Sequence, residues 1–225
     1  MASTTSLALK LAIAALMVAS IIELSFISAT VGWLHKTASG TFTILLDGSS
    51  FELRGEPAKL LTDQGHTSNG AAGTAFVLIG LGGIIALWLR GYRRFGVAVY
   101  HLWLAVNIPA VLLTLGALVY VFVVTRAHEG QDIDVAVASS STLRGIKYPL
   151  DTWTPQNWFA AVLRLDVADA GVRDDIRSHY KIMLGWQYNL IPMFVIQLAE
   201  TALAVVDYLS WRKERRYGSV VQAKV

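Results

Sequence analysis

Residues 97–125 read VAVYHLWLAVNIPAVLLTLGALVYVFVVT, a stretch without a single Lys, Arg, Asp or Glu. A helix needs roughly 20 such residues to cross the ~30 Å of hydrocarbon in a bilayer. Backbone in lipid must satisfy its own hydrogen bonds, so the stretch predicts a transmembrane helix. Three further apolar stretches, at about 7–34, 71–89 and 182–211, reach the same length with few charges. The expected fold class is an all-α membrane protein. It is read as a four-transmembrane-helix bundle with a small extramembrane cap, a single integral domain over 1–225.

Composition agrees. Hydrophobic residues make up 54% of the chain and charged residues 16%, where a soluble domain carries about 25% charged. Lys and Arg gather beside the span ends rather than in a basic stripe with interleaved aromatics, which argues against nucleic acid as a partner. Cysteine is absent, which removes disulfides, thiolate metal sites and cysteine nucleophiles. Stretch 7–34 is expected to be a retained span rather than a cleaved signal. Its charged leader is only Lys10, and Ser28-Ala29-Thr30 is a poor cleavage site.

Charge placement sets an expected orientation. The turn 90–96 holds Arg90, Arg93 and Arg94 with no acid, and the tail 212–225 opens Arg212-Lys213-Glu214-Arg215-Arg216. The positive-inside rule places both in the cytosol, together with the amino terminus. The outer loops, 35–70 and 126–181, hold ten Lys/Arg against twelve Asp/Glu. The expected location is therefore the plasma membrane or an endomembrane, both termini cytosolic. Trp33, Trp88, Tyr92, Trp186, Tyr208 and Trp211 fall near span ends and read as headgroup anchors.

In the first outer loop Asp47-Gly48 separates two β-rich runs, a strong hairpin signal. Phe42 and Ile44, then Phe51 and Leu53, alternate to give one apolar face. A lone hairpin is marginal in water, so it is expected to lean on the second outer loop or on another protein. Segment 56–70 reads as a flexible return to the membrane and 129–141 as irregular. Thr154-Pro155 starts a helix over 155–165, expected to pack on the hairpin. Phe42, Ile44, Phe51, Trp153, Trp158 and Phe159 are candidate contacts for a membrane or extracellular protein partner, with the edge of 41–46.

Polar residues inside spans come closest to a site, because ionisable groups there are costly. Counted from the cytosolic ends, Glu23, Asn107, Gln197 and Glu200 share a level near mid-membrane. His101 and Asp207 share another near the cytosolic edge and are expected to pair. A polar clamp between helices is the simplest role for the four; two neighbouring carboxyls could also share a proton, bind a cation or relay protons. The histidines lack metal-ligand spacing, and no nucleophile elbow, phosphate loop or dinucleotide fingerprint occurs. No catalytic residue, metal or cofactor is therefore assigned. Gly82 and Ala86 read as a small pair for close helix approach, and Pro109 and Pro192 as kinks.

The layout resembles the claudin-like tetraspan proteins, including their fungal relatives. The shared features are a hairpin-bearing outer loop after Gly32-Trp33, a short basic cytosolic turn and a basic tail. The paired cysteines and Gly-Leu-Trp of those families are absent, so the resemblance implies topology and not paracellular sealing. The ending Gln222-Ala223-Lys224-Val225 is loosely similar to a PDZ-binding terminus. The leading functional expectation is a non-enzymatic organiser or accessory subunit acting through the cap, with the lipid bilayer and a protein as partners and a homo-oligomer open. The alternatives are a small proton-coupled transporter using Glu23 and Glu200, and a membrane-embedded enzyme or accessory protein acting on a hydrophobic metabolite.

Overall fold

Four helices long and apolar enough to cross a membrane dominate the chain: Thr4–Ala38, Asp63–Leu89, Phe95–Ala127 and Ala170–Arg215. The computed structural model describes residues 2–140 and 145–222. The carboxyl-terminal residues 223–225 of the PDZ-like ending, and Ser141 of the serine run, lie outside the described residues. In chain order the elements are α1 (Ala2–Trp33), β1 (Thr41–Leu46), β2 (Ser49–Arg54), α2 (Asp63–Thr74), α3 (Gly82–Leu89), α4 (Arg93–Ala127), α5 (Val135–Ala138), α6 (Pro155–Val162), β3 (Asp166–Val167) and α7 (Ala170–Gln222). A π-helical turn, Leu34–Ala38, extends α1, and another, Ala75–Leu81, joins α2 to α3.

The second span begins at Asp63, inside the segment read from sequence as a flexible return. Two features account for the difference. Residues 58–61 are pinned rather than loose: Ala58 N–H donates to Tyr148 O at 2.8 Å, Trp153 N–H to Lys59 O at 2.9 Å, and Leu61 N–H to Trp153 O at 2.8 Å. The polar run that follows is a helix whose buried face is itself polar, with Gln64 and Ser68 one turn apart. A hydrophobic-period test cannot see such a face. α7 starts at Ala170, so 172–180 runs directly into the fourth span, and Asp169 caps it by accepting from Val172 N–H at 3.0 Å. Segment 129–141 includes one ordered turn, α5, capped by the Asp134 carboxylate on Ala136 and Val137 N–H. Both α4 and α7 run on through Pro109 and Pro192.

Two compact units share these helices. Among the described residues, one comprises those up to Ile22, Gly70–Gly116 and those from Leu190; the other comprises those within Glu23–Asn69 and Ala117–Asn189. In the first, Leu9, Ile13, Ala86, Tyr100, Trp103 and Ala204 form a buried cluster. Close approach there uses Gly80 and Gly83 rather than Gly82. A Cβ on Gly83 would sit 2.9 Å from Trp103, whereas one on Gly82 would be in ordinary contact at 3.6 Å. The adjoining π turn adds a residue to the winding and shifts which positions face inward.

The second unit holds a three-stranded sheet of order β2-β1-β3. β1 and β2 pair from Thr41↔Arg54 to Leu46↔Ser49, closed by Asp47 and Gly48 at φ 40° and 84°. Positive φ at both positions is the type I′ turn the Asp-Gly pair favours. β3 adds antiparallel to the other side of β1 through Ile44↔Val167 and Leu45↔Asp166. Against the sheet packs α6, started by Thr154 accepting from Asn157 N–H at 3.2 Å with Pro155 in the first turn. The hairpin is thus supported by the segment that carries α6 and β3.

Candidate functional site

The aromatics expected to meet a partner are the interior of this second unit. Trp153, Trp158 and Phe159 are 0% exposed, and Phe42 and Ile44 are buried beside them. Phe51 is half-buried against the same core. Trp158 meets Trp153 edge-on at 5.1 Å between centroids, and its indole N–H donates to Gly55 O at 2.7 Å. These six side chains bury against one another and against Trp33, Tyr148, Ile176 and Met183 of the same core, and burying each is worth roughly 1.5–3 kcal/mol. They hold the unit together and cannot also present themselves to a partner. β1 is likewise not a free edge, because β3 covers its centre. The edges of the sheet are β2, six residues long, and the two-residue β3.

The four mid-span polar residues divide between the units. In the first, Glu200, Gln197 and Asn107 are all 0% exposed. Thr201 Oγ1 donates to Asn107 Oδ1 at 3.3 Å and lies 3.4 Å from Glu200 Oε2. Asn107 donates back to Trp103 O at 3.0 Å, and Thr114 donates to Gln197 Oε1. Glu200 Oε1 and Gln197 Nε2 have no hydrogen-bond partner among the described residues. Glu23, in the second unit, is buried and accepts from Asn189 Nδ2 at 2.9 Å. Each acid thus bonds to polar residues of its own unit.

The expected His101–Asp207 pair does not form. His101 is exposed, and Asp207 instead accepts from Tyr100 Oη at 2.9 Å and from Arg90. Consecutive residues on a helix point about 100° apart, so Tyr100 and His101 meet different residues of α7 and only Tyr100 reaches Asp207. The Arg90 guanidinium also lies over the Tyr100 ring, 4.9 Å from its centroid, a cation–π contact on a buried pair. His101 is left stacking edge-on against Tyr208 at 5.4 Å.

A third polar group was not legible in the sequence. Gln64 Nε2 donates to Gln156 Oε1 at 3.1 Å, Thr125 Oγ1 to Gln64 Oε1 at 3.4 Å, and Asn157 Nδ2 to Thr125 O at 2.7 Å. This amide network knits α2, α4 and α6 inside the second unit. The spacing of Gln64 and Ser68 on α2 was the one available signal. Of the six expected anchors, Trp33 and Trp186 are buried, and Trp33 Nε1 donates to Asp175 Oδ2 at 2.7 Å. Trp88 and Tyr92 stand exposed.

Among the described residues no group of three or more His, Cys, Asp or Glu could hold a metal ion. The arrangement is one of buried hydrogen-bonded clamps between helices and a sheet whose β2 edge is open. No family model, curated protein or solved structure matches this chain.

Proposed function

We propose that the chain is an integral membrane protein with both termini in the cytosol, acting as an organiser or accessory subunit through its extracytosolic cap. Embedding is supported by the outward faces of the four helices. Leu11, Val18, Ile85, Leu112, Val123 and Val195 are each more than half exposed. Six such side chains facing water would forfeit about 10 kcal/mol of burial, comparable with the whole stability of an ordinary domain at about 5–15 kcal/mol. Lipid removes that penalty.

The observation that carries the organiser reading is the open edge of β2. In a two-residue hairpin the pairs Leu46↔Ser49, Ile44↔Phe51 and Phe42↔Leu53 exchange hydrogen bonds, so the backbone of Ser50 and Glu52 points away from β1. Ala168 N–H bonding to Thr43 O at 2.9 Å follows the same alternation on the other side. A partner strand can add along β2 by main-chain bonds, a common mode of recognition. Ser50→Pro removes an outward N–H while sparing the bonds to β1. Affinity purification in mild detergent should recover a membrane or extracellular protein with the wild type and lose it with Ser50→Pro. Equal recovery would count against the reading, and tags at the two termini reporting opposite faces would overturn the topology.

A further inference from the structure

Within the second unit a cleft of about 830 Å³ is lined by the carboxyl end of α1, the start of α2, and Glu56, Pro57, Ala58, Leu60 and Lys147. Its volume falls in the range of small-molecule sites, roughly 300–1,000 Å³. Glycine keeps it open on both walls. A Cβ on Gly32 would meet nothing within 4 Å, and one on Gly65 would meet only the Trp186 ring, at 3.8 Å.

The lining has two chemistries. Ile27, Val31 and Leu34, at i, i+4 and i+7 along α1 and its π-helical extension, contribute apolar lining; His35, next after Leu34 on that turn, His66 on α2 and Lys147 line the same cleft. Glu56 is the one carboxylate in the lining, and Lys147 neutralises it at 2.8 Å. A ligand that fits must therefore be long and apolar at one end and rich in hydrogen-bond acceptors at the other. A sterol offers a single hydroxyl to three nitrogen-bearing side chains. A phosphodiester offers two free oxygens that bind such donors with charge-assisted bonds.

We propose that the cleft is a phospholipid site, with the phosphate received by His35, His66 and Lys147 and one acyl chain laid against Ile27, Val31 and Leu34. It rests on the membrane reading above, but not on the organiser role of β2.

Native mass spectrometry of the full chain in detergent, titrated with phosphatidylcholine, palmitate or cholesterol, tests it. One phosphatidylcholine should stay bound per chain, with palmitate and cholesterol at least about tenfold weaker, a margin of ~1.4 kcal/mol. His35→Ala combined with His66→Ala should weaken phosphatidylcholine by about tenfold or more. Gly32→Trp, which grows into open space, should block it without lowering the unfolding midpoint. Brominated phosphatidylcholine should quench Trp186, behind Gly65, in the wild type and not in Gly32→Trp. Equal retention in the wild type and Gly32→Trp would overturn the proposal, as would preferential retention of palmitate or cholesterol. Carbonate extraction reads membrane embedding separately, so an embedded chain that binds no phospholipid refutes this site alone.

Discussion

Tyr100 donates its hydroxyl to Oδ2 of Asp207 at 2.9 Å, across 107 positions of sequence, and Arg90 pairs with the same oxygen. The carboxylate side chain is 5% exposed and the guanidinium 18%, so neither is well solvated alone. Removing one partner of such a pair strands the other charge. Asp207→Ala is expected to cost about 3 kcal/mol, and Tyr100→Phe about 1 kcal/mol for the lost hydrogen bond. His101→Ala should leave the midpoint of unfolding in detergent where it was. A large loss from both His101→Ala and Asp207→Ala, with Tyr100→Phe silent, would restore the pairing expected from sequence.

Gly55 is the tightest junction in the cap. A Cβ there would collide with the backbone carbonyl of Ala38, which cannot swing aside as a side chain can. Its own carbonyl accepts the Trp158 indole. Gly55→Ala should therefore destabilise the second unit by about 3 kcal/mol, the upper end of overpacking costs. Gly32→Ala, in open helix, should instead gain about 0.5–1 kcal/mol. Differential scanning calorimetry of the two variants compares them directly.

Tyr148 gives the cap an alkaline limit. Burial raises its pKa above the ordinary 10.0, and the nearby charges of Asp134 and Asp151 push the same way. The folded state therefore prefers the protonated phenol more than the unfolded chain does. Its contribution is fully present below pH 10.0, and is lost as pH rises through the folded value. The Asp134 N–H that donates to the Tyr148 hydroxyl oxygen at 3.0 Å favours the phenolate and offsets part of the rise. Titration by near-ultraviolet circular dichroism should show cap loosening above pH 10, with a smaller alkaline loss in Tyr148→Phe. Identical curves would remove Tyr148 from the account.

Glu200 separates structure from function. Its Oε1 is buried without a hydrogen-bond partner among the described residues, an arrangement that costs about 1–3 kcal/mol. Glu200→Met, similar in length and apolar, should raise stability by about 1 kcal/mol if the acid serves only as a clamp. Loss of a pH-dependent flux in the same variant, measured in proteoliposomes, would instead favour the carrier reading.

How much was legible in the sequence follows from what a pattern records. The apolar runs, the Asp47-Gly48 turn and the Thr154-Pro155 start depend on local chemistry, and each is where it was expected. Glu23, Asn107, Gln197 and Glu200 are conspicuous in apolar surroundings, and all four are buried. Partner choice was not legible, because it depends on helix rotation: one residue of phase decides between Tyr100 and His101, or between Gly82 and Gly83. The polar interior at Gln64 and Ser68 looked like loop because buried polar side chains carry no hydrophobic signature. The cap aromatics were visible, but whether they faced inward depended on β3, a two-residue strand too short to read.

The aromatic interior of the cap has one more consequence. Trp153, Trp158, Phe159 and Tyr148 do by ring packing what sulfur bridges do in many small secreted modules. The fold should consequently mature without an oxidising compartment and withstand millimolar reductant unchanged.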